Sequence, residues 1–219
     1  MDSVKKIISS SRIQYALHSL DKREVDKDPV VQFENWMRDA LDKKIKEPYA
    51  MILTTASSKG KPSARVLLLR DITSKGFVFY TNYQSRKGKE IVKNPWSAMT
   101  FFWQQLERQV RIEGKLVKIS AKESDDYFRS RPRESQLGAW ASDQSQTLRN
   151  RTELEDRFNA LSKKYKGKIV TRPSYWGGYC LMPLEIEFWQ GKSNRLHDRI
   201  LFTRKKLSDK KWKIVRLAP

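Results

Sequence analysis

The spacing of apolar residues predicts one long helix near the N-terminus. Asp28 followed by Pro29 is typical of a helix start, because the carboxylate caps free backbone N–H groups and proline fits the first helical turn. The apolar residues that follow share one helical stripe, which predicts a core-packing helix to about residue 44. They are Phe33, Trp36, Met37, Ala40 and Leu41. Residues 1–27 are weakly patterned, and a short helix, a mobile arm and a loose surface segment all fit them.

Beyond residue 49 the pattern changes to short apolar runs between polar turns, which is typical of β-strands. Strands are predicted at 50–56, 64–70, 76–81, 97–104 and 109–119, with a polar turn at 82–87 and a short helix at 88–93. The unbroken apolar run at 66–69 predicts that its strand is buried on both faces. Short turns between consecutive strands favour antiparallel pairing, hence a sheet or barrel and not a doubly wound fold.

A helical insertion is predicted next, followed by a return to strands. The predicted helices span 121–130, 132–142 and 152–166, and the predicted strands span 179–182, 184–190, 199–203 and 212–217. The third helix has one apolar face, formed by Leu154, Phe158, Leu161 and Tyr165. The pattern therefore predicts a single α+β domain at 28–219 around a β-barrel, with 1–27 as a mobile N-terminal arm.

Composition narrows the class of protein. The 219 residues carry a net charge of +20, which suggests anionic partners such as nucleic acid, acidic membranes or phosphorylated small molecules. No apolar run approaches the roughly 20 residues that a membrane span needs. Cys180 is the one cysteine, which excludes an internal disulfide and favours a cytoplasmic location. The two histidines, His18 and His197, are too few for a histidine-rich metal centre.

The stretch at 187–199 concentrates the candidate chemistry. If it continues as a strand, Arg195, His197 and Arg199 point to one face. Their charges then repel one another unless an anion or an electron-rich ring lies among them. The alternative is a solvated edge strand that uses charge to avoid aggregation. The stretch alone leaves both interpretations open.

Two other places could hold an anion. The polar turn at 81–89 offers free N–H groups at a helix start beside Arg86 and Lys87, which fits a phosphate site or a plain helix cap. Arg65 and Arg70 face opposite sides of one predicted strand. Each could bind an anion at a different site, or Arg70 could simply mark the strand end.

Tyr127, Arg131 and Ser135 recur every four residues, and all three are phosphate ligands by type. Solvated helices show the same spacing by chance, so the pattern is ambiguous. Other chemistries lack their motifs: zinc spacing, a nucleophile elbow and the Rossmann glycine fingerprint are all missing. Because the sequence offers few candidate general acids or bases beyond His197, redox chemistry here would need a bound organic cofactor.

Several motifs together resemble the pyridoxine/pyridoxamine 5'-phosphate oxidase family, from about residue 28 to the end and in that family's order. The signature is Glu-Phe-Trp-Gln at 187–190 and Arg-Leu-His-Asp-Arg at 195–199. Further matches are KPSARVLLL at 61–69, FYTN at 79–82, SRKG at 85–88, ERQV at 107–110, YFRSRP at 127–132, SQLGA at 135–139, WGGY at 176–179 and RLAP at 216–219. So many motifs at matching positions argue against a chance resemblance.

That resemblance implies an α+β split β-barrel of mainly antiparallel strands with peripheral helices, assembled as a homodimer with FMN at the interface. It implies an oxidase of vitamin B6 biosynthesis and salvage. Pyridoxamine or pyridoxine 5'-phosphate would become pyridoxal 5'-phosphate, with O2 as acceptor, release of H2O2, and release of NH3 from the amine. Membranes, nucleic acids and metals are not expected as partners.

The resemblance also implies roles for individual residues. FMN is expected to contact Arg65, Val66, Leu67, Leu68, Tyr80, Thr81, Arg86, Lys87, Gln109, Gln144, Ser145, Trp189 and Arg199. The substrate phosphate is expected on Arg70, Tyr127, Arg131 and Ser135. The pyridine ring is expected at Arg195, Leu196 and His197, of which Arg195 and His197 are the catalytic candidates. Arg12 and Tyr15 resemble the family's N-terminal lid residues.

One departure and two rival functions accompany this expectation. The family usually has lysine where this chain has Arg70, whose planar fork is not interchangeable with an ammonium group. A related flavoprotein with another substrate would keep the Arg65 and Arg86 motifs without Arg195 and His197, and this chain has both sets. A nucleic-acid-binding protein would be colourless and would bind less tightly as salt rises.

Overall fold

The computed structural model describes residues 4–10 and 14–219. Its helices are α1 (Val4–Ser10), α2 (Pro29–Asp42), α3 (Arg86–Lys93), α4 (Ala121–Ser130), α5 (Arg133–Ala141) and α6 (Arg151–Lys164). Its strands are β1 (Ala50–Ala56), β2 (Pro62–Leu68), β3 (Asp71–Thr73), β4 (Gly76–Asn82), β5 (Trp96–Trp103), β6 (Arg108–Lys118), β7 (Trp176–Gln190), β8 (Asp198–Thr203) and β9 (Lys213–Leu217). Arg12 lies outside the described residues.

The strands of the described chain form one sheet, and its hydrogen-bonded neighbours follow the order β2-β1-β5-β6-β7-β4-β3. The remaining two strands extend it, because β8 pairs with β7 and β9 pairs with β8. The pairs β1–β2, β1–β5, β3–β4, β4–β7, β7–β8 and β8–β9 are all antiparallel. An antiparallel sheet with separate helices confirms the predicted α+β class.

The chain packs as two compact units. The first unit comprises the described residues up to Pro48, with Phe101–Arg111 and Glu185–Pro219. The second unit comprises Tyr49–Thr100 and Ile112–Leu184. The predicted single domain at 28–219 stays a prediction.

Helix α2 supplies the core of the first unit. It begins as predicted, since the Asp28 carboxylate accepts a hydrogen bond from Val30 N–H at 2.9 Å. Phe33 packs against Phe101 with ring centroids 4.9 Å apart, and Trp36 packs against Phe188 at 5.1 Å. The expectation for Leu41 is wrong: its side chain is 53% exposed, because it lies in the last turn at the margin of the buried stripe.

The insertion helices pack together in the second unit. Their buried cluster is formed by Phe128, Leu137, Val170 and Trp176. Helix α6 packs against that cluster through Phe158 and Leu161, and so does Tyr165, the residue that follows the helix. Their helical spacing predicts this packing. These contacts tie α4, α5 and α6 into one layer.

Two strand predictions need correction. The run at 66–69 is not buried on both faces: Val66 is 66% exposed, and Leu69, just past the end of β2, is the member that is buried. The physical reason is that β2 pairs with β1 and ends the strand order. The two strands predicted at 179–182 and 184–190 are one strand, β7, which passes through Pro183. Proline is tolerated there because the pairing with β4 ends at Leu181.

The interpretation in which the stretch continues as an alternating strand through 195–199 does not hold. A 3-10 turn at Ser193–Arg195 separates β7 from β8, and Asn194 and Arg195 have left-handed φ angles of 56° and 61°. Strand β8 begins only at Asp198. Arg195, His197 and Arg199 therefore do not form one row on a strand face.

Cys180 lies inside β7 as a free, buried cysteine. Burial raises the pKa of its thiol to about 11.

Within the described residues, no helix combines the length and the apolar character that crossing a bilayer requires.

Candidate active site

A tight turn places two cations at the start of α3. Ser85 caps the helix: its hydroxyl accepts from Gly88 N–H at 3.3 Å and donates to the Asn82 carbonyl at 2.7 Å. Only glycine fits at position 88, since a Cβ there would lie 2.1 Å from the Tyr83 carbonyl oxygen. The sequence predicts a helix start at residue 88, but α3 begins two residues earlier, at Arg86. Arg86 and Lys87 occupy its first turn, where free N–H groups favour anions.

Lys87 is a buried cation with neutral partners. Its residue is 7% exposed, and Nζ donates to Gln144 Oε1 at 2.9 Å and to Thr81 Oγ1 at 3.3 Å. Burial, together with the nearby positive charge of Arg65, lowers the pKa of Lys87 to about 8. Such a lysine gains stability when a negative charge approaches it.

Arg65 belongs to the same cluster. Its Nη1 donates to Thr55 Oγ1 at 2.6 Å and to the Leu53 carbonyl at 3.2 Å, and its Nη2 donates to Ser63 Oγ at 2.6 Å. In the part of the chain that the structure describes, Arg65 Nε has no hydrogen-bond partner. Burial lowers the pKa of Arg65, yet a guanidinium stays charged, so this N–H remains available to an anion.

Glu90 sits among these cations and was not anticipated from the sequence. Its Oε2 accepts from Thr55 Oγ1 at 2.5 Å and from Ser63 Oγ at 2.6 Å, and its Oε1 accepts from Arg86 Nε at 2.9 Å. Burial alone would raise the pKa of Glu90, but the hydrogen bonds from Ser63, Thr55 and Arg86 prevail and lower it to about 2. Its position four residues after Arg86 was the one sequence signal.

The loop after α5 completes this cluster, which we call the α3 cation site. Gln144 reaches Lys87, and Ser145 has a left-handed φ of 74°. Ser145 and Arg86 line one cavity of about 420 Å³ together with Ser57, Ser58, Lys89, Glu90, Lys93 and Gln146. The structure thus brings together Arg65, Arg86, Lys87, Thr81, Gln144 and Ser145 within the second unit.

A second cationic place in the same unit centres on Arg131, the residue after α4. Its guanidinium lies 4.6 Å above the Trp176 ring and 5.6 Å from the Phe128 ring. Nη1 is buried and has no hydrogen-bond partner within the described residues. Burial lowers the pKa of Arg131, and the nearby charge of Arg70 lowers it further. A buried donor without a partner fits an anionic ligand.

Aromatic rings and Arg70 flank Arg131, and we call this group the Arg131 site. Tyr127 stacks on Tyr80 at 3.7 Å, and Tyr80 stacks on Trp176 at 5.4 Å. Burial raises the pKa of Tyr80 to about 12, so its hydroxyl stays protonated. Ser135 lies half-buried on α5, so the equal spacing of Tyr127, Arg131 and Ser135 spans a helix break at Pro132 and not one helix.

The signature stretch lies in the first unit. Trp189 and His197 have ring centroids 4.6 Å apart, and Tyr15 contacts both rings edge-on at 5.8 and 6.0 Å. His197 Nδ1 accepts a hydrogen bond from Lys192 N–H at 3.1 Å, which leaves Nε2 as the atom that can face a ligand. Arg195 and Leu196 are exposed on the turn.

Arg199 differs from the free cation that the sequence suggested. Its Nε and Nη2 donate to the two Glu187 oxygens at 2.8 and 3.0 Å, and its Nη1 donates to the Ala218 carbonyl at 2.8 Å. The hydrogen bond to Glu187 raises the pKa of Arg199. Glu187 therefore offsets one of the three charges that were expected to repel one another.

Glu107, in the ERQV motif at 107–110, has a structural role that the sequence does not reveal. Its carboxylate accepts from Ala16 N–H at 2.9 Å and from Leu17 N–H at 3.0 Å. These bonds hold the segment that carries Tyr15. Gln109, two residues further on, lies half-buried in β6.

Comparison with solved structures defines the class. The chain shares the fold of an FMN-binding protein related to pyridoxamine 5'-phosphate oxidases from Nostoc punctiforme, with a TM-score of 0.66 at 16% identity, covering 92% of this chain and 100% of the other. It is also similar to PhzG from Burkholderia lata, solved in complex with tetrahydrophenazine-1-carboxylic acid, with a TM-score of 0.86 at 30% identity over 93% and 100% of the two chains. The fold is thus the predicted split barrel.

Comparison with protein families is more specific. Residues 37–165 match the family model for pyridoxamine 5'-phosphate oxidase, and residues 176–219 match the pyridoxine 5'-phosphate oxidase C-terminal dimerisation region. A pyridoxine/pyridoxamine 5'-phosphate oxidase from Paraburkholderia phytofirmans is 50% identical over 213 residues, 97% of this chain and 99% of the relative. One from Acaryochloris marina is 48% identical over 219 residues, 100% and 99% of the two chains.

The chain belongs to the pyridoxamine 5'-phosphate oxidase family, as its motifs predicted. It is an oxidoreductase of that family, and its neighbours suggest a flavin cofactor. The matched dimerisation region supports a homodimer.

Proposed function

We propose that the protein is an FMN-dependent oxidase that converts pyridoxamine or pyridoxine 5'-phosphate to pyridoxal 5'-phosphate. O2 would be the electron acceptor, with release of H2O2, and of NH3 from the amine. The observation that carries the proposal is a pair of separate cationic sites in one unit, the α3 cation site and the Arg131 site. Cofactor and substrate each bring one phosphate, so two such sites match the pair.

The α3 cation site is the proposed holder of the FMN phosphate. Lys87 and Arg65 offer charged donors to it, and Arg86, Gln144 and Ser145 lie around them. The other proposed flavin contacts are the backbone of Val66, Leu67 and Leu68, and the side chains of Tyr80, Thr81, Gln109, Trp189 and Arg199. FMN supplies a two-electron acceptor when bound. The residues of this chain supply binding and orientation.

The Arg131 site is the proposed holder of the substrate phosphate. Arg131 and Arg70 supply charge, and Tyr127 and Ser135 supply hydroxyls. A phosphate held at a fixed place orients the remaining ring, which converts binding into reaction geometry.

Arg195 and His197 are the proposed positioning groups for the pyridine ring, with Leu196 beside them. His197 would use Nε2, because Nδ1 is occupied by Lys192 N–H. Tyr15 is proposed to cover the site. The Glu107 carboxylate holds its segment by accepting hydrogen bonds from the backbone N–H groups of Ala16 and Leu17. Arg12 shares that proposed role but lies outside the described residues. The cytoplasmic location expected from the sequence stays a prediction.

A second candidate is an oxidase for a carboxylated, non-phosphorylated ring compound. It is favoured by the likeness to PhzG, which was solved with a carboxylic acid ligand. A guanidinium such as Arg131 binds carboxylates as well as phosphates, so geometry alone does not separate the two. The pairing of Arg131 with a second arginine, Arg70, favours the dianionic phosphate.

The test is direct. The purified protein should be yellow or become yellow on addition of FMN, and pyridoxamine 5'-phosphate in air should yield H2O2 and pyridoxal 5'-phosphate. Failure to bind FMN would refute the proposal entirely. A yellow protein that is inactive on both phosphorylated substrates, but oxidises a ring carboxylic acid, would establish the second candidate.

A further inference from the structure

Glu90 is a carboxylate buried in the middle of an anion-binding cluster. Its side chain is 10% exposed, and Arg65 Nη2 and Arg86 Nε lie 3.5 and 2.9 Å from its oxygens. A negative charge at this place repels an incoming phosphate, so its presence needs a compensating benefit. The hydrogen bonds around it supply one.

Glu90 sets the direction of the hydrogen bonds that hold Arg65. The hydroxyls of Thr55 and Ser63 each have one proton, and both point at Glu90 Oε2, at 2.5 and 2.6 Å. Each hydroxyl must then accept from Arg65, which it does at 2.6 Å in both cases. The carboxylate therefore fixes the plane of the Arg65 guanidinium through two intervening hydroxyls.

The same carboxylate orients Arg86 directly. Arg86 is exposed on α3, and a long exposed side chain samples many rotamers unless something holds it. The bond from its Nε to Glu90 Oε1 restrains this side chain and does not use the Nη1 and Nη2 donors. With Arg65 and Arg86 both held in place, an arriving phosphate meets donors that need no reorganisation.

We propose that Glu90 is a positioning residue for the phosphate at the α3 cation site, acting through Arg65, Arg86 and the hydroxyls of Thr55 and Ser63. The inference deepens the proposed function and rests on it, because it takes that phosphate to be the FMN phosphate. Glu90 lines the same cavity as Arg86 and Ser145, but a carboxylate does not bind a phosphate, so its effect is to order the donors around it.

The test is Glu90→Gln, titrated as apoprotein with FMN and with riboflavin, which lacks the phosphate. A glutamine has one acceptor oxygen and brings two donor protons, so it cannot accept from both hydroxyls and Arg86 together. The Kd for FMN should rise about 10- to 100-fold, since charged hydrogen bonds of this kind are lost, while the Kd for riboflavin changes less than about 3-fold.

Glu155→Gln is the matched control. Glu155 accepts from Arg151 Nε at 2.7 Å, the same i,i+4 pairing as in Glu90 and Arg86, but on α6. Its substitution should leave both flavin affinities unchanged. Equal weakening of FMN and riboflavin by Glu90→Gln would mean a general structural role and would overturn the inference, as would unchanged FMN binding.

A second pair of variants tests the hydroxyl connection without altering any charge. Thr55→Val removes the hydroxyl and keeps the shape, and Thr55→Ser keeps the hydroxyl. FMN affinity should fall in Thr55→Val and recover in Thr55→Ser, with riboflavin affinity constant, and equal FMN affinity in both would refute the role. These variants decide the matter even if Glu90→Gln does not fold. Wild-type protein that binds no FMN would refute the proposed function itself.

Discussion

The two cationic sites differ in how their charges are surrounded. Lys87 is buried among neutral oxygen acceptors, and burial has lowered its pKa to about 8. Arg131 instead lies on the face of Trp176 with one nitrogen left without a partner in the described residues. A lysine in such a setting can lose its proton within the working pH range, whereas an arginine cannot.

FMN binding should therefore weaken at alkaline pH. The protonated form of Lys87 attracts the phosphate, so raising the pH through about 8 should weaken FMN binding, by up to about tenfold per pH unit. Fluorescence titration of the apoprotein across this range measures the effect. Lys87→Met should bind FMN more weakly but without this pH dependence. A wild-type Kd that stays constant well above pH 8 would contradict the assignment.

Arg131 should control substrate affinity and not cofactor affinity. Arg131→Met keeps an apolar stem over Trp176 and removes the guanidinium, so KM for pyridoxamine 5'-phosphate should rise about 100-fold. The FMN Kd should stay within about twofold, because the α3 cation site is untouched. Steady-state peroxide assays and flavin titrations measure both quantities. Arg129→Met, an exposed neighbour paired with Asp126, is the control and should resemble wild type.

For helices and strands, the sequence predicts several starts and ends correctly, but it does not predict which strands pair with each other. The start of α2 at Asp28–Pro29, the bounds of β1 and those of α4 follow directly from the sequence. Such signals act within a few residues of each other. The exposure of Val66 and the passage of β7 through Pro183 depend on which strand lies alongside, and a single sequence does not state that.

The candidate site shows the same division. The motifs pointed to Arg65, Arg86 and Lys87, and the structure brings them together. It also places Glu90 among them, and no spacing rule separates such a carboxylate from an ordinary surface ion pair. The sequence predicts a break between the strands at 184–190 and 199–203 but not the conformation of the turn at Ser193–Arg195, because its left-handed residues are Asn194 and Arg195 and not a glycine.

The turn into α3 should tolerate no side chain at Gly88. Gly88→Ala would place Cβ 2.1 Å from the Tyr83 carbonyl oxygen, so the turn must shift, with a loss of more than about 2 kcal/mol in the free energy of unfolding. FMN affinity should fall too. Gly138→Ala in α5 is the matched control, because its Cβ has nothing within 4 Å and should cost nothing or stabilise the helix. Denaturant unfolding compares the two.

For the whole molecule, a pair of exposed apolar side chains indicates a surface that a second copy of the chain could cover. Ile52 and Val66 lie opposite each other on β1 and β2, 44% and 66% exposed in the single chain. Family membership supports a homodimer, and exposed apolar side chains on a sheet are typical of surfaces that a second copy covers.

Ile52→Lys should therefore weaken the homodimer. A lysine at a covered position must lose its hydration, so the dimer dissociation constant should rise at least about tenfold. Sedimentation over a range of concentrations measures the effect. Ile169→Lys is the control, since Ile169 is 82% exposed and lies outside the sheet. Unchanged dimerisation of Ile52→Lys would place the interface elsewhere.

The burial of Cys180 in β7 bears on how well the protein would resist the peroxide that the proposed reaction forms. Oxidation by peroxide begins from the thiolate, and a thiol whose pKa is about 11 is almost entirely protonated near neutral pH. An oxidase that makes H2O2 at every turnover would then carry no easily damaged sulfhydryl. Intact-mass analysis after prolonged turnover should find Cys180 unmodified in the folded protein and oxidised only once the protein is unfolded.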